Sequence, residues 1–184
     1  MYLCNGAIPT LTGRRLELRT MKNEDAAALF RIWSHPEVVP WLGAPPLSSV
    51  TETEQLIALL SKMALEEENL RWSIVGPGGE VMGSCGYNSW QLPGAYRGEI
   101  GCDLSPDFWG QGYMKEALEL VLEYGFTTMG LNRVEAYCYP DNVRAHQLVD
   151  TLGFQREGLL RQYRHTPSGF QDVDLFALLR QEWR

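Results

Sequence analysis

Two glycines stand two residues apart at the start of a predicted helix, in the segment SPDFWGQGYMKEAL at residues 105–118. Gly110 and Gly112 follow an apolar, strand-like segment, and glycine allows backbone angles and close approaches that other residues prevent. The helix that begins after them presents unpaired N–H groups and the positive end of its dipole. This arrangement predicts an anion site, and phosphate is the usual ligand of such a site.

Three other phosphate-binding patterns do not fit this segment. The chain contains no Walker A string, GxxxxGK[ST]. A dinucleotide fingerprint needs a third glycine where Lys115 stands, and the regular strand–helix repeat around it is missing, which argues against a Rossmann-type oxidoreductase. A kinase glycine loop needs HRD and DFG segments, which are absent.

The segments around the glycine loop predict a mixed α/β fold with irregular alternation of strands and helices. Asn23 and Asn142 are predicted N-caps, and Ser49 with Glu52 forms a possible capping box. The turn GPGGE predicts a hairpin. The predicted strands are RRLELRT, RWSIV, VMGSCGYNSW, GEIGCDL, RVEAYCY, GLLRQYRH and DVDLFALL, and predicted helices follow Asn23, Ser49, Gly112 and Asn142.

Length and charge limit the function classes. The 184 residues predict a single domain over residues 1–184. Sixteen basic and 23 acidic residues give a net charge of −7 with no basic cluster, which argues against a nucleic-acid partner. An acidic surface favours a cationic acceptor such as an amine.

The composition also bears on compartment and metals. No signal peptide is apparent, and no apolar run approaches the roughly 20 residues that span a membrane. The cysteines form no CxxC pair, so free thiols in a reducing cytoplasm are predicted. The three histidines are scattered, which predicts no metal site. The four cysteines are Cys4, Cys85, Cys102 and Cys138.

The glycine loop and two flanking segments resemble the GNAT superfamily of N-acetyltransferases. The string WGQGY at residues 109–113 is similar to the pyrophosphate loop of the RimJ/RimL-like branch, with Met114 where a small residue is more usual. Asn142 is followed eleven residues later by Gly153 and Phe154, as in that family's second signature. The resemblance covers residues 13–180.

The resemblance implies acetyl-CoA as cosubstrate and a mostly antiparallel sheet of about six to seven strands, flanked by about four helices. The family's fourth and fifth strands splay apart, so the pantetheine arm is expected along Cys102 to Leu104. The N–H groups of residues 110–115 would hold the pyrophosphate, and Asn142 would contact the CoA arm. The implied cofactor-binding residues of the loop are Trp109, Gly110, Gln111, Gly112, Tyr113, Met114 and Lys115.

Glu99 is the predicted general base, because a carboxylate just before the CoA-binding stretch can take the ammonium proton directly or through water. A salt-bridged or exposed strand glutamate is the structural alternative. Glu135 on the neighbouring strand is a second candidate. A third possibility is that no dedicated base exists and the amine arrives neutral.

The general acid is where this sequence departs from its relatives. Many relatives have a serine and a tyrosine at positions occupied here by Ala145 and Val149, and neither residue can donate a proton. His146 is the first candidate, although it points about 100° around the helix from Ala145. Tyr139 is the second, and unassisted departure of the thiolate is the third possibility.

The acceptor is expected to bind between the loops HPEVVPWLGAPPL and SWQLPGAYRG. Aromatic residues that could line this cleft are Trp41, Tyr87, Trp90 and Phe108. The sequence leaves open a protein N-terminus or a small amine as acceptor, a housekeeping or a resistance role, and a monomer or a homodimer. A binding module that senses acyl-CoA without turnover is the alternative from a different class.

Overall fold

An eight-stranded mixed sheet is the frame that positions the glycine loop. The structure, a computed structural model, describes residues 7–183, so Cys4 lies outside the described residues. The strands are β1 (Leu11–Thr12), β2 (Glu17–Thr20), β3 (Leu70–Val75), β4 (Val81–Gln91), β5 (Arg97–Leu104), β6 (Arg133–Cys138), β7 (Gln155–Thr166) and β8 (Gly169–Leu179). Their order in the sheet is β1-β2-β3-β4-β5-β6-β8-β7.

Five α-helices flank the sheet in the described part of the chain. They are α1 (Ala26–Trp33), α2 (Val39–Leu42), α3 (Val50–Leu65), α4 (Tyr113–Thr127) and α5 (Val143–Thr151). Short 3₁₀ turns, Asn23–Asp25 and Pro106–Phe108, precede α1 and the glycine loop.

The predicted fold class is confirmed, with one strand and one helix more than expected. The added strand is β1, two residues that pair with β2. The added helix, α2, lies in the proline-rich segment that was predicted as loop, and Pro40 stands within its first two positions, where proline is tolerated.

The sheet opens between β5 and β6, the one parallel pair among the described strands. Their pairing runs from Arg97 opposite Arg133 to Ile100 opposite Ala136 and then stops. β5 continues to Leu104 along β4, whereas β6 continues to Cys138 along β8. The β6-facing edge of residues 101–104 is therefore without a strand partner, as the family resemblance implies.

The two faces of the sheet carry different helices. The Trp72 ring lies 5.7 Å from Tyr124 of α4, whereas the hydroxyl of the next residue, Ser73, donates to Asp25 beside α1 at 2.8 Å. Since successive strand residues point to opposite faces, α4 and α1 cover opposite sides of the sheet. We call these sides the α4 face and the α1 face.

Two of the predicted helix caps are confirmed and one is wrong. The Ser49 hydroxyl accepts the Glu52 N–H at 3.1 Å, and Asn142 Oδ1 accepts the Ala145 N–H at 3.1 Å. The predicted capping box is only half formed, since the Glu52 carboxylate accepts the Ser48 N–H at 2.8 Å rather than that of Ser49. Asn23 does not cap α1, since it lies inside the 3₁₀ turn. The buried Asp25 carboxylate accepts the Lys22 N–H before this turn at 2.9 Å. The same carboxylate also accepts hydrogen bonds from Arg19 and Ser73.

Gly125 marks a close contact between α4 and the sheet. A Cβ at this position would coincide with the Tyr87 hydroxyl. Gly125→Ala is therefore expected to lower the free energy of unfolding by about 1–3 kcal/mol through overpacking, despite the better helix propensity of alanine. Urea denaturation measures this change.

Gly158→Ala is the matched control for Gly125→Ala. A Cβ at Gly158 would meet no atom within 4 Å, so a change within about 0.5 kcal/mol is expected. Equal stability of the Gly125→Ala variant and the unsubstituted protein would contradict the packing of Tyr87 against α4.

Candidate active site

The glycine loop adopts the conformation that its glycines permit. Gly110 and Gly112 have φ angles of 72° and 80°, in the left-handed region that favours glycine. Gly112 occupies the N-cap of α4 and has no side chain with which to cap the helix. The N–H groups of Tyr113, Met114 and Lys115 donate to no other residue within 7–183. Unpaired donors of this kind are what the predicted anion site requires.

Three side chains hold the loop in place, two of its own and one from the connection between β1 and β2. The Trp109 indole N–H donates to the Leu104 carbonyl at the end of β5, at 2.9 Å. The Gln111 amide donates to the Asp107 carbonyl at 2.9 Å. Arg15 Nη1 donates to the Gln111 carbonyl at 3.0 Å, so the connection between β1 and β2 also supports the loop.

Glu116 anchors Arg15 beneath the loop. It is 7% exposed, and its two oxygens accept the Arg15 backbone N–H and Nε, each at 2.8 Å. Burial alone would raise the pKa of Glu116, but the hydrogen bonds from Arg15 outweigh it and hold that pKa below the ordinary value for glutamate.

Glu116→Gln is expected to lower the melting temperature at pH 7 by about 5 °C, because the charge-assisted hydrogen bonds of a buried carboxylate to a half-exposed arginine are lost. Since the pKa is lowered in the folded state, this stabilisation is present above the ordinary glutamate pKa of about 4.3 and is lost as the pH falls below it. The difference between the two proteins should therefore shrink in acid, which thermal unfolding between pH 7 and pH 3 would measure.

Glu119→Gln on the same helix is the control for that comparison. Glu119 is 42% exposed and lies 3.7 Å from Lys115. Such a surface pair contributes little, so a nearly unchanged melting temperature is expected. A difference at Glu116 that persists undiminished at pH 3 would contradict the ion-pair account.

Cationic side chains surround the loop although the chain is acidic overall. The Arg144 guanidinium lies 4.1 Å from the centroid of the Trp109 ring, and Arg15 lies 4.6 Å from that of Tyr113. Lys115 is half exposed in the first turn of α4. The loop therefore combines backbone donors with a local positive charge, which favours a bound polyanion.

The strands on either side of the opening between β5 and β6 lead to the residues predicted to contact the CoA arm. Cys102 is exposed, since no β6 residue covers it, whereas Leu104 is buried. Cys138 is buried on the opposite strand, and Asn142 caps α5 just after it. Of the predicted contacts of the CoA arm, Cys102 to Leu104 thus form the unpaired edge of β5, and Asn142 follows the end of β6.

Glu99 lies on β5 at the parallel pair and is partly buried. Its Oε1 accepts Arg164 Nη2 at 2.8 Å and Asn88 Nδ2 at 3.0 Å. Its Oε2 accepts no hydrogen bond from another residue in the described part of the chain. The carboxylate is thus oriented through one oxygen, and the other oxygen is available for a proton.

Glu135 is held differently. It is 6% exposed and accepts Arg97 at 2.7 Å, Arg133 at 2.7 Å and the Tyr137 hydroxyl at 2.9 Å. Burial opposes its ionisation, but these donors prevail and lower the pKa of Glu135. A carboxylate with both oxygens engaged and a lowered pKa is a poorer proton acceptor than Glu99.

Tyr139 lies on the side of the cleft that faces the α2 segment. Its ring is 6.4 Å from that of Trp41. Its hydroxyl is buried and has no hydrogen-bond partner among the described residues. A Cβ placed on Gly43 would lie 2.8 Å from this hydroxyl and 3.9 Å from Arg164 Nη1. The Tyr139 hydroxyl and Arg164, which binds Glu99, are therefore both close to Gly43.

His146 lies on the opposite face of the sheet. Its ring packs edge-on against the core residue Phe176, with centroids 5.1 Å apart. Its Nε2 is buried, 3.5 Å from Asp174, which also binds Arg156. This Nε2, like the Tyr139 hydroxyl, has no hydrogen-bond partner among the described residues. His146 therefore belongs to the contact between α5 and β8.

The aromatic residues predicted to line the acceptor cleft separate into two groups. Trp41 is 36% exposed beside Tyr139, in keeping with a place at the cleft. The Tyr87 ring is in the core, with its hydroxyl donating to the Val121 carbonyl at 3.1 Å. Trp90 and Phe108 pack against the main core, so these rings support the fold.

Neither a metal-binding cluster nor a membrane-spanning helix occurs among residues 7–183. Among residues 7–183, no group of three or more histidine, cysteine or acidic residues is arranged to hold a metal ion. No helix in the same part of the chain has both the length and the apolar character required to cross a bilayer.

Comparison with known proteins places this geometry in a family. A model of the acetyltransferase (GNAT) domain matches residues 15–155. N-acetyltransferase p20 of Bacillus licheniformis, itself uncharacterised, is 39% identical over 175 residues, 95% of this chain and 98% of that protein. Ribosomal protein uS5-alanine N-acetyltransferase of Escherichia coli is 31% identical over 84 residues, 46% of this chain and 43% of that protein.

A solved structure gives the same answer for the fold. Mycobacterium smegmatis RimJ, in complex with CoA-disulfide, superposes with a TM-score of 0.89 at 25% identity, over 96% of this chain and 90% of that chain. The chain belongs to the GNAT family of acetyltransferases. Within that family it is a RimJ/RimL-like N-acetyltransferase that uses acetyl-CoA, as the glycine loop and the Asn142 segment predict.

Sequence reasoning missed the residues that orient the predicted ones. Arg15 and Glu116 support the loop, and Asn88 and Arg164 hold Glu99. Arg164 is 65 positions from Glu99, and no local periodicity connects them.

Proposed function

We propose that the protein transfers the acetyl group of acetyl-CoA to a primary amine by direct attack of the amine nitrogen on the thioester. The observation that carries this proposal is the glycine loop. Its two left-handed glycines precede a helix N-terminus with unpaired donors, next to a strand edge that has no partner. A pyrophosphate and an extended arm require these two features side by side.

The cosubstrate would bind along the loop and the open edge of β5. The N–H groups of residues 110–115 would hold the pyrophosphate, and the backbone from Cys102 to Leu104 would hold the pantetheine arm. A Cβ on Gly110 would meet no atom within 4 Å, so the space above the loop is open for a ligand. Asn142 can contact the arm while it caps α5.

Glu99 would prepare the amine for attack. An ammonium ion has no lone pair, so its proton must leave first, and Oε2 of Glu99 is the free oxygen that can take it directly or through water. The C–N bond then forms as the thioester carbonyl acquires negative charge. An N–H group on the open edge of β5 would stabilise that charge.

The adduct nitrogen still carries one proton more than the amide and gives it to water. The collapse of this adduct then breaks the C–S bond and releases the CoA thiolate. Tyr139 is the better supported proton donor, because its ring lies beside Trp41 and strand alternation from Glu135, the partner of Glu99, places it on the Glu99 side of the sheet. His146, the first candidate from sequence, faces Asp174 and Phe176. A thiol with a pKa near about 8.5 can also leave without help.

A reducing compartment such as the cytoplasm is part of the same proposal. It is supported by the free thiols of Cys85, Cys102 and Cys138. Free cysteines persist where reductants maintain them.

The proposal is tested by two measurements on the same preparation. Calorimetry with CoA should show binding, and a thiol-release assay with acetyl-CoA should show turnover with at least one member of a panel of N-terminal peptides, polyamines, arylalkylamines and aminoglycosides. Tight CoA binding with no turnover across the panel would replace the transferase by a sensor of acyl-CoA. Absence of both would remove the CoA site itself.

A further inference from the structure

A cavity of about 330 Å³ lies on the α1 face of the sheet, between α1–α3 and strands β3–β5. Its helical wall is apolar and includes Trp33, Leu42, Leu56 and Leu60. The volume and the apolar lining are those of a small-molecule site. The cavity can therefore take a bulky apolar group.

On the sheet side of the cavity, the negative charge of Asp103 is balanced by the positive charge of Arg71. Asp103 is the one carboxylate among the described lining residues. Its oxygens accept Arg71 Nη2 and the Ser84 hydroxyl, each at 2.6 Å, and the Ser84 N–H at 3.2 Å. Its side chain is 2% exposed. A polycation such as a polyamine would thus find no free carboxylate in this cavity.

Asn69 is an unsatisfied polar group in the cavity wall. It is 3% exposed, and its Oδ1 is buried without a hydrogen-bond partner within residues 7–183. A buried acceptor that is left unpaired costs free energy, so such atoms normally have a partner. A ligand N–H would supply the missing bond.

A chain of hydrogen bonds joins the cavity to the candidate base. Arg71 Nη1 donates to Asn88 Oδ1 at 3.1 Å, and Asn88 Nδ2 donates to Glu99 Oε1 at 3.0 Å. Both Arg71 and Asn88 line the cavity. When the nitrogen of an acceptor amine reaches Glu99, the substituent attached to that nitrogen would therefore lie in or beside the cavity.

We infer, on the basis of the proposed function, that this cavity selects the acceptor. The preferred acceptor is a primary amine that carries a bulky apolar group and a nearby N–H donor for Asn69. A peptide with N-terminal leucine and an arylalkylamine such as tryptamine share this chemistry. Polyamines and aminoglycosides, which present several cations and little apolar surface, are poor acceptors.

The test compares kcat/KM for a Leu-terminated peptide and tryptamine with that for the same peptide with N-terminal glycine, spermidine and kanamycin. At least one of the first two should exceed every comparator by about 10- to 100-fold. The better of the two identifies a protein N-terminus or a small amine as the source. A higher value for spermidine, kanamycin or the glycine peptide would overturn the inference.

Two matched variants locate the selection in the cavity. Ala44 is exposed at the rim of the cavity, so Ala44→Trp should fill it without disturbing the core and lower kcat/KM for the preferred amine about tenfold or more. Ala58→Trp, on an exposed position of α3 outside the cavity, should leave it unchanged. Equal activity of the two variants would overturn the assignment.

Asn69→Leu separates a recognition role from a structural one. Because it removes an unpaired buried group, the variant should melt at the same or a higher temperature, yet lose about tenfold in kcat/KM for the donor-bearing amine. A lower melting temperature with unchanged kcat/KM would show that Asn69 is structural and would overturn its part in the inference.

Direct binding keeps this inference separate from the proposed function. Calorimetry with tryptamine and the Leu-terminated peptide on the CoA-saturated protein should show binding that Ala44→Trp abolishes. If no amine is turned over but this binding is found, the inference stands and the transfer reaction fails. If other amines are turned over and neither of these binds, the reaction stands and the inference fails.

Discussion

Glu99→Gln is expected to lower kcat/KM with the best acceptor by about 100-fold, within the range for loss of a general base. Glutamine preserves the shape of the side chain and an oxygen that can accept Arg164 and Asn88, but it cannot take a proton. The amine must then arrive neutral, so the pH profile should shift to higher pH, towards the amine's own pKa of about 8–10. CoA affinity should be nearly unchanged.

Glu157→Gln is the control for Glu99→Gln. Glu157 is another carboxylate of the sheet with an arginine partner, Arg133, at 2.6 Å, and it is 44% exposed. Its loss should leave both rate and pH profile as in the unsubstituted protein. Full activity of Glu99→Gln with the original pH profile would remove Glu99 as the base and leave it as an ion-paired strand residue.

Gly112→Val is expected to raise the dissociation constant for CoA by about 100-fold or more. Gly112 has φ +80°, which a β-branched residue adopts only with strain, and its Cβ would lie 3.4 Å from Arg15 Nη2. The side chain would also stand at the helix N-terminus, where the pyrophosphate is proposed to lie. Calorimetric titration with CoA measures the effect.

Gly130→Val separates loss of the site from loss of the fold. Gly130 has φ +72° with no atom within 4 Å of a Cβ, so it carries comparable backbone strain just beyond the far end of α4. It should lower the melting temperature but leave CoA affinity unchanged. Equal CoA affinity in a folded Gly112→Val variant would contradict the phosphate cradle.

The parts of the fold that depend on local chemistry were predictable from sequence. The GPGGE turn, the Ser49 and Asn142 caps and the positive-φ glycines each follow from the neighbouring residues alone. The α2 helix was not predicted, because proline-rich segments favour loops. Its four residues, Val39–Leu42, form a single turn whose packing alongside the second core could not be inferred from periodicity.

The environment of a side chain was less predictable from sequence than the helices and strands were. Tyr87 and Tyr139 are both aromatic residues next to the predicted site, yet one donates to Val121 in the core and the other has an unpartnered hydroxyl in the cleft. The sequence made His146 the first candidate general acid, because many relatives have their candidate acids on the helix that follows Asn142. The packing of His146 against Phe176 depends on the register of β8, which no local pattern reveals.

The cavity beside Asn69 lay beyond the sequence for a related reason. Its walls come from three helices and three strands that are distant in the chain. Leu56 and Leu60 read as ordinary core positions of an amphipathic helix. The ion pair of Asp103 with Arg71 and its hydrogen bond from Ser84 depend on residues of two other strands.

The most direct test of the account is transfer of an isotopically labelled acetyl group from acetyl-CoA, followed by mass spectrometry of both products. The account predicts that the label appears on the nitrogen of the acceptor amine and that one CoA thiol is released for each amide formed. The N-terminal leucine peptide and tryptamine are the first acceptors to use. Bound acetyl-CoA that retains its label in the presence of every amine of the panel would contradict the account.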